Sequence, residues 1–348
     1  MNYKIVFIVG LMLAAGACKK SDNPKASNTL PTVYVVGISG NSALYWKNGT
    51  QNILNSGASS DVNVASIFAS ATNIYVAGKE YLSGNYTATL WKNNVPEQLP
   101  NESGNIYSSA SSVTVSGEDV YAAGYSYGTS PGTGTVAIYW KNQVPVYLSA
   151  PGQPFSEASS ISVSGSDIYV AGASVLTGPN LAGLDLYAPA LWKNGNLTIL
   201  AKSGEAGNTT SVSVNNGDVY VTGYQYVIGA NPSNYNAVYW KNGVMTQLSA
   251  NNALAYAIAV SGNDVYVAGD ENINGVILAT IWKNGTATHL TGPTVFSTAS
   301  AIAVSGTNVY VAGNVINSAG ATTATLWKNG AATNLGAVNS NAYGIYLK

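Results

Sequence analysis

The chain has 348 residues, of which only 8% are charged, with a formal net charge of −1 and no arginine. That balance excludes a polybasic nucleic-acid binder, and a single cysteine excludes an internal disulfide framework. An apolar fraction of 46%, carried with 24 tyrosines and 37 glycines, is too regular and too rich in strand-forming side chains for a disordered chain.

The first element is MNYKIVFIVGLMLAAGA (1–17), one early charge at Lys4 followed by an apolar run and small residues. It reads as a secretory leader and is too short for a membrane span. The only cysteine, Cys18, follows at once, at a boundary where a lipidation point explains it better than a core position. AAGAC followed by KKSDNPKASN resembles the lipobox and tether of a bacterial lipoprotein, and CKKSD is similar to mature N-termini of lipoproteins from Bacteroidota, with Ala15 where leucine is usual. The resemblance implies cleavage before Cys18, a lipid on its sulfur, and retention at the cell envelope, with the outer membrane as the expected address. Residues 18–30 are then a tether, and 31–348 a single domain.

From Pro31 onward one unit repeats. Trp46, Trp91, Trp140, Trp192, Trp240, Trp282 and Trp327 are each followed by Lys-Asn, at separations of 45, 49, 52, 48, 42 and 45 residues. Upstream of each lies a YVAG-type motif ending at Gly37, Gly78, Gly124, Gly172, Gly223, Gly269 or Gly313. The copy at 299–335 divides into strand a (SAIAV), the turn SGTN, strand b (VYVAG), a longer loop, strand c (TATLW), the turn KNG and a short strand d (AATNL). Gly and Asn in both turns tolerate the positive φ of tight hairpins. Four short strands per period of about 45 residues and seven copies predict an all-β, seven-bladed propeller of antiparallel blades. Both alternation sets of strand b are apolar, as a sheet covered on both faces requires. The YVAG and WKNG repeats resemble those of seven-bladed propellers in bacterial cell-surface lipoproteins, rather than WD40 or kelch blades; that likeness implies fold and location and brings no catalytic residues.

The first copy lacks a strand a. The last residues, AYGIYLK (342–348), align with ASAIAVS (299–305), so that Ile345 takes the place of Ile302 and Leu347 that of Val304. Seven complete blades therefore require the C-terminal strand to complete the N-terminal blade, which also removes an open edge.

Antiparallel blades put the a–b and c–d turns at one end and the longer b–c and d–a connections at the other. Length variation is confined to this second, variable face, where function is expected. Its b–c connections carry Tyr81, Tyr86, Tyr125, Tyr127, Tyr187, Tyr224, Tyr226 and Tyr235, and its d–a connections carry Tyr107, Phe155, Tyr256 and Phe296. Singly such residues pack loops onto blades. As a set the eight b–c tyrosines are the candidate ligand-binding residues, because a tyrosine offers flat area and a hydroxyl at low entropic cost. Glu80, Glu157, Asp185, Glu205, Asp270 and Glu271 lie on the same face, and a converging pair could serve glycoside hydrolysis. His289 is the only histidine and falls on strand d at the outer rim, which excludes histidine-based triads and histidine-rich metal sites. No calcium-loop or phosphate-loop motif is present, and no catalytic residue, metal or cofactor is expected.

On the opposite face, Lys47, Lys92, Lys141, Lys193, Lys241, Lys283 and Lys328 recur in the c–d turn, where each should solvate the turn while its stem covers an aromatic neighbour. The sequence thus points to an envelope-anchored, monomeric propeller that binds a glycan or a partner protein. A carboxylate-dependent glycan-active enzyme and a scaffold of an envelope complex are the alternatives.

Overall fold

The computed structural model describes residues 30–54, 61–101, 105–128, 134–148, 155–175, 186–229 and 234–348. The leader and Cys18 lie outside the described residues. Residues Pro31–Lys348 form one unit, in which 28 strands among the described residues make seven four-stranded antiparallel sheets. Blade 1 runs in the order Ser340–Leu347, Val33–Ser39, Ser42–Lys47, Thr50–Ile53, and blades 2 to 7 follow in sequence order. Strand a is innermost in every blade, and the seven together line an axial channel.

The two turn families take the geometry their residues allow. In the c–d turns Asn48 and Gly49 have φ of 48° and 82°, and Asn284 and Gly285 have 50° and 86°, as type I′ hairpins demand. Blade 3 forces the same turn on Asn142 and Gln143, at 49° and 67°. In the a–b turns Gly117, Gly165, Gly262 and Gly306 supply the positive φ.

Each blade seam holds one hydrophobic cluster, and each cluster contains one of the seven tryptophans, all of them at most 1% exposed. Trp46 packs against Ala312, Ala324 and Leu335 of blade 7, so the ring closes with the same wedge that joins every other pair of blades. The closing strand also repeats the seam's polar device. Ala324 N donates to Ser340 Oγ at 3.0 Å, as Ala88 N does to Ser108 Oγ and Ala137 N to Ser156 Oγ at 2.9 Å. The strand begins at Ser340, two residues before the expected 342, because Ser340 and Asn341 still pair with Ser39 and Ile38.

The fixed glycine of strand b has a cause not visible in the sequence. Each strand a carries a β-bulge opposite it, leaving Ala65, Ser111, Ser159, Thr210, Tyr256, Ser300 and Tyr343 without a paired residue. The bulge presses a strand-a carbonyl onto the glycine: a Cβ on Gly78 would stand 2.1 Å from Asn63 O, and one on Gly313 2.0 Å from Thr298 O. Only glycine admits that approach. Beyond the bulge, Val113 N donates to Ser66 Oγ at 3.2 Å, and Ser112, Ser160 and Ser211 accept likewise from the next blade. These hydroxyls satisfy backbone donors on the otherwise unpaired inner edge of each sheet.

Candidate functional site

On the short-turn face four blades pair their own charges. Lys141, Lys193, Lys241 and Lys283 pair with Asp119, Asp167, Asp218 and Asp264 at 2.7 to 2.8 Å. The same four lysines, with Lys47 and Lys328, stand 5.2 to 5.8 Å above a strand-b tyrosine ring. The turn asparagine completes the knot: Asn194 Oδ1 accepts from Ile168 N and its Nδ2 donates to Asp167.

On the variable face strands b and c continue past the repeat motifs, so the candidate tyrosines are mostly strand residues rather than loop residues. Tyr125 and Tyr127 lie in Asp119–Gly128, Tyr224 and Tyr226 in Asp218–Val227, Tyr81 in Ile74–Leu82, Tyr86 in Asn85–Lys92 and Tyr187 in Tyr187–Lys193. Tyr235 alone falls just outside a strand. Continued backbone pairing and the strand preference of aromatic side chains account for the extension. Of the d–a aromatics, Tyr107 and Tyr256 likewise belong to strand a.

The structure sorts these tyrosines into two groups. Between blades 2 and 3, Tyr81, Tyr86, Tyr107 and Tyr125 form a chain of ring contacts at 5.1, 5.5 and 5.9 Å. Lys79 Nζ lies 4.6 Å from the Tyr86 ring centre and donates to Tyr107 Oη, and Tyr86 Oη donates to Asp61. Tyr127 joins neither group by ring contact and is 43% exposed.

Between blades 4 and 5, Tyr187, Tyr224, Tyr226 and Tyr235 surround a cavity of about 280 Å³ together with Glu157, Gly207 and Asn208. The Tyr235 ring stands 5.2 Å from Tyr224 and 5.6 Å from Tyr226, at 79° and 90°, so the walls meet nearly at right angles. Burial pushes the Glu157 carboxyl above the usual carboxylate range. Burial also raises the Tyr224 hydroxyl, aided by Tyr235, Tyr226 and Glu157, while Asn208 opposes. Asn208 Oδ1 is buried and accepts no hydrogen bond. In the ladder Glu157 is opposite Ala173 and Asn208 opposite Tyr224, so the small Ala173 leaves room beside the carboxylate.

Four of the described candidate carboxylates have separate partners. Asp185 lies outside the described residues. Glu80, Asp270 and Glu271 are buried in the blade sheets, at 1%, 6% and 5% exposure, rather than presented on the face. Extended strands carry them inward, each to a partner: Gln98 for Glu80, Tyr256 for Asp270 and His289 for Glu271. Glu205 meets Gln225. His289 does lie on strand d, and its Nε2 is 3.0 Å from Glu271, a contact the sequence reading missed. Among the described residues no group of three or more His, Cys, Asp or Glu side chains could hold a metal ion.

The sequence reading also missed Asn208 and Lys79 as site residues. For Lys79 the signal was present: the residue after the strand-b glycine reads Ile38, Lys79, Tyr125, Ala173, Tyr224, Asp270 and Asn314, so the strictest position in the repeat precedes a highly divergent one, whereas Asn208 lies on strand a and pairs with Tyr224 of that series.

No protein-family model and no curated protein sequence matches the chain. Solved structures do. The chain is similar to a puromycin-hydrolyzing peptidase of Mycobacterium tuberculosis (TM-score 0.55, 12% identity), covering 88% of this chain and 53% of that one. It is also similar to the β-propeller domain of the Trilobed protease from Pyrococcus furiosus (TM-score 0.55, 11% identity, 89% and 96% covered), described as having an open velcro topology. An acylaminoacyl peptidase from Pyrococcus horikoshii matches with TM-score 0.55 and 12% identity, over 90% of this chain and 52% of its own. The chain thus spans about half of the two peptidases and nearly all of the isolated propeller domain. The relationship is one of fold, a distant likeness to known propellers.

Proposed function

We propose that the protein is a lipid-anchored, extracytoplasmic binding module that takes a glycan into the cavity between blades 4 and 5. The observation that carries this reading is the convergence of four tyrosines from two blades, with Glu157 and Asn208, around one ring-sized space. Perpendicular aromatic walls with hydroxyls at their tips suit the alternating apolar faces and polar edges of sugar rings. Half of the residues nominated as ligand-binding contribute to it. The carboxylates paired elsewhere in the sheets give the hydrolytic alternative less support, and the peptidases that share the fold lend no catalytic residues to it.

Retention on a polysaccharide array tests the site. The double variant Tyr224→Ala/Tyr235→Ala should bind at least about tenfold more weakly than the parent, with an unchanged fold by circular dichroism, whereas Tyr127→Ala should bind normally. Equal retention by parent and double variant would remove the cavity as the glycan site. A propeller that binds no glycan but co-purifies with an envelope protein would support the partner or scaffold reading instead.

The anchoring part of the proposal rests on the leader, Cys18 and the polar segment after it. Cys18→Ala should move the protein from the membrane to the soluble fraction and abolish its labelling by a radioactive fatty acid. The propeller itself should sediment as a monomer.

A further inference from the structure

The two tyrosine groups differ in one respect that bears on the chemistry of the ligand. In the blade 2–3 group the position after the glycine is Lys79, whose ammonium lies 4.6 and 5.0 Å from the Tyr86 and Tyr107 ring centres. That group carries its own cation. The opposite face repeats the arrangement six times, with lysine over tyrosine at 5.2 to 5.8 Å. An ammonium against a tyrosine face thus recurs on both faces of this molecule, and its physical basis is the negative face of the ring quadrupole.

The blade 4–5 cavity has the same kind of wall, and none of its lining residues is a cation. Beside the tyrosine hydroxyls, which can donate or accept, it holds two acceptors without a donor. Glu157 makes no hydrogen bond or ion pair to any described residue, and only burial shifts its carboxyl. The Asn208 Oδ1 is a second buried acceptor without a donor. Four electron-rich tyrosine rings, a carboxylate and a free carbonyl oxygen define a site complementary to a positively charged donor.

We infer that this cavity recognises a protonated amine, and that its ligand is an amino sugar bearing a free ammonium rather than a neutral or N-acetylated sugar. The inference rests on the glycan reading of the same cavity. An –NH₃⁺ group has three N–H donors to share between Glu157 and Asn208 Oδ1, which a quaternary ammonium lacks. A space of about 280 Å³ sits just below the roughly 300–1,000 Å³ of drug-sized pockets, which suits a single sugar ring. A lysine side chain of a partner protein would bring the same ammonium on a thin flexible stem and leave the flat walls largely unused.

Calorimetric titration of the full chain near neutral pH, with a glucosamine tetramer, the N-acetylglucosamine tetramer and cellotetraose, tests the inference. The glucosamine tetramer should bind at least about tenfold more tightly than the other two, and Glu157→Gln should erase that preference. The preference should also shrink as sodium chloride is added to the unmodified protein, a readout that needs no variant. Equal binding of all three saccharides, lost together in Tyr224→Ala/Tyr235→Ala, would overturn the ammonium inference and leave the glycan site standing. Binding of a lysine-rich peptide but of no saccharide would overturn the amino sugar and the glycan reading alike, as would binding of none of these probes.

Discussion

The two faces of the propeller handle polar side chains in opposite ways. On the short-turn face, four lysines meet an aspartate of their own blade, and those aspartates also receive the turn asparagine. On the variable face, Glu157 and Asn208 Oδ1 line a cavity and have no hydrogen-bond partner among the described residues. The first pattern recurs in blades 3 to 6, and the second belongs to the seam between blades 4 and 5. In a repeat protein, recurrence marks what every blade needs in order to stack, and departure from the repeat marks what the assembled ring can offer to another molecule.

If recurrence means structural need, removing a recurrent element should unfold the ring. Deleting residues 340–348 strips Ala342, Ile345 and Leu347 from the seam beneath Trp46 and bares the edge of Val33–Ser39. The expected loss is about 5 kcal/mol or more, enough to abolish a cooperative melt or to drive association through the open edge. A truncated chain that melts and sediments like the full one would show that the closing strand is dispensable. A smaller probe is Gly313→Ala, whose Cβ would meet Thr298 O at 2.0 Å. It should cost about 3 kcal/mol in chemical denaturation, because the obstacle is backbone and has nowhere to go. By contrast, Tyr226→Ala on the variable face should cost about 1 kcal/mol or less.

Much of the fold could be read from the sequence because it is written seven times. Trp-Lys-Asn reported the seam wedge, the lysine above its tyrosine and the turn with positive φ, and the alignment of Ile345 with Ile302 identified the closing strand. The bulge escaped because it leaves no residue type behind: Ala65, Ser111, Thr210 and Tyr343 share only a position. The cavity escaped for a different reason. Tyr187 and Glu157 belong to blade 4, whereas Asn208, Tyr224, Tyr226 and Tyr235 belong to blade 5, so their meeting depends on how two extended sheets diverge around the axis. Strand length beyond the motif was also hidden, which is why Glu80, Asp270 and Glu271 read as exposed loop carboxylates and are instead buried in sheets.

Asp270 sharpens the comparison because it departs from the repeat yet lies inside the fold. It is 6% exposed and accepts a hydrogen bond from Tyr256 at 3.1 Å. Burial pushes its pKa up to about 6 from an ordinary 3.8, with the Tyr256 hydrogen bond acting in the opposite direction. Between these pH values the folded state holds a proton that the unfolded state releases. The contribution of this carboxyl to stability therefore falls as pH rises through the window and stays low above it. Asp270→Asn keeps an acceptor for Tyr256 and removes the titration. Its advantage over the parent should grow between about pH 4 and pH 6 to about 1–3 kcal/mol and then level off. A difference that shrinks over the same range would mean that the ionised carboxylate is favoured in the fold, by a charge partner rather than disfavoured by burial.

The smallest effect is expected where the recurrent charges are most visible. Hydrogen bonds from Lys193 and then Asn194 hold the Asp167 carboxyl below the ordinary aspartate range, so any stabilisation it gives is present at neutral pH and fades as pH falls below that range. The pair is open to solvent, where Coulomb attraction is weak and salt weakens it further. Blade 7 supplies a natural control: Asn308 stands in the aspartate position, Asn329 Nδ2 still donates to its Oδ1 at 2.9 Å, and Val309 N still donates to Asn329. Lys328 keeps its place 5.5 Å over Tyr310 without the ion pair. Asp167→Asn should therefore reproduce the blade 7 turn in blade 4 and leave the melting temperature within experimental error of the parent at low and at high salt. A clear drop that vanishes at high salt would show that the recurrent ion pair, and not only the turn-to-turn hydrogen bond beside it, holds the short-turn face together.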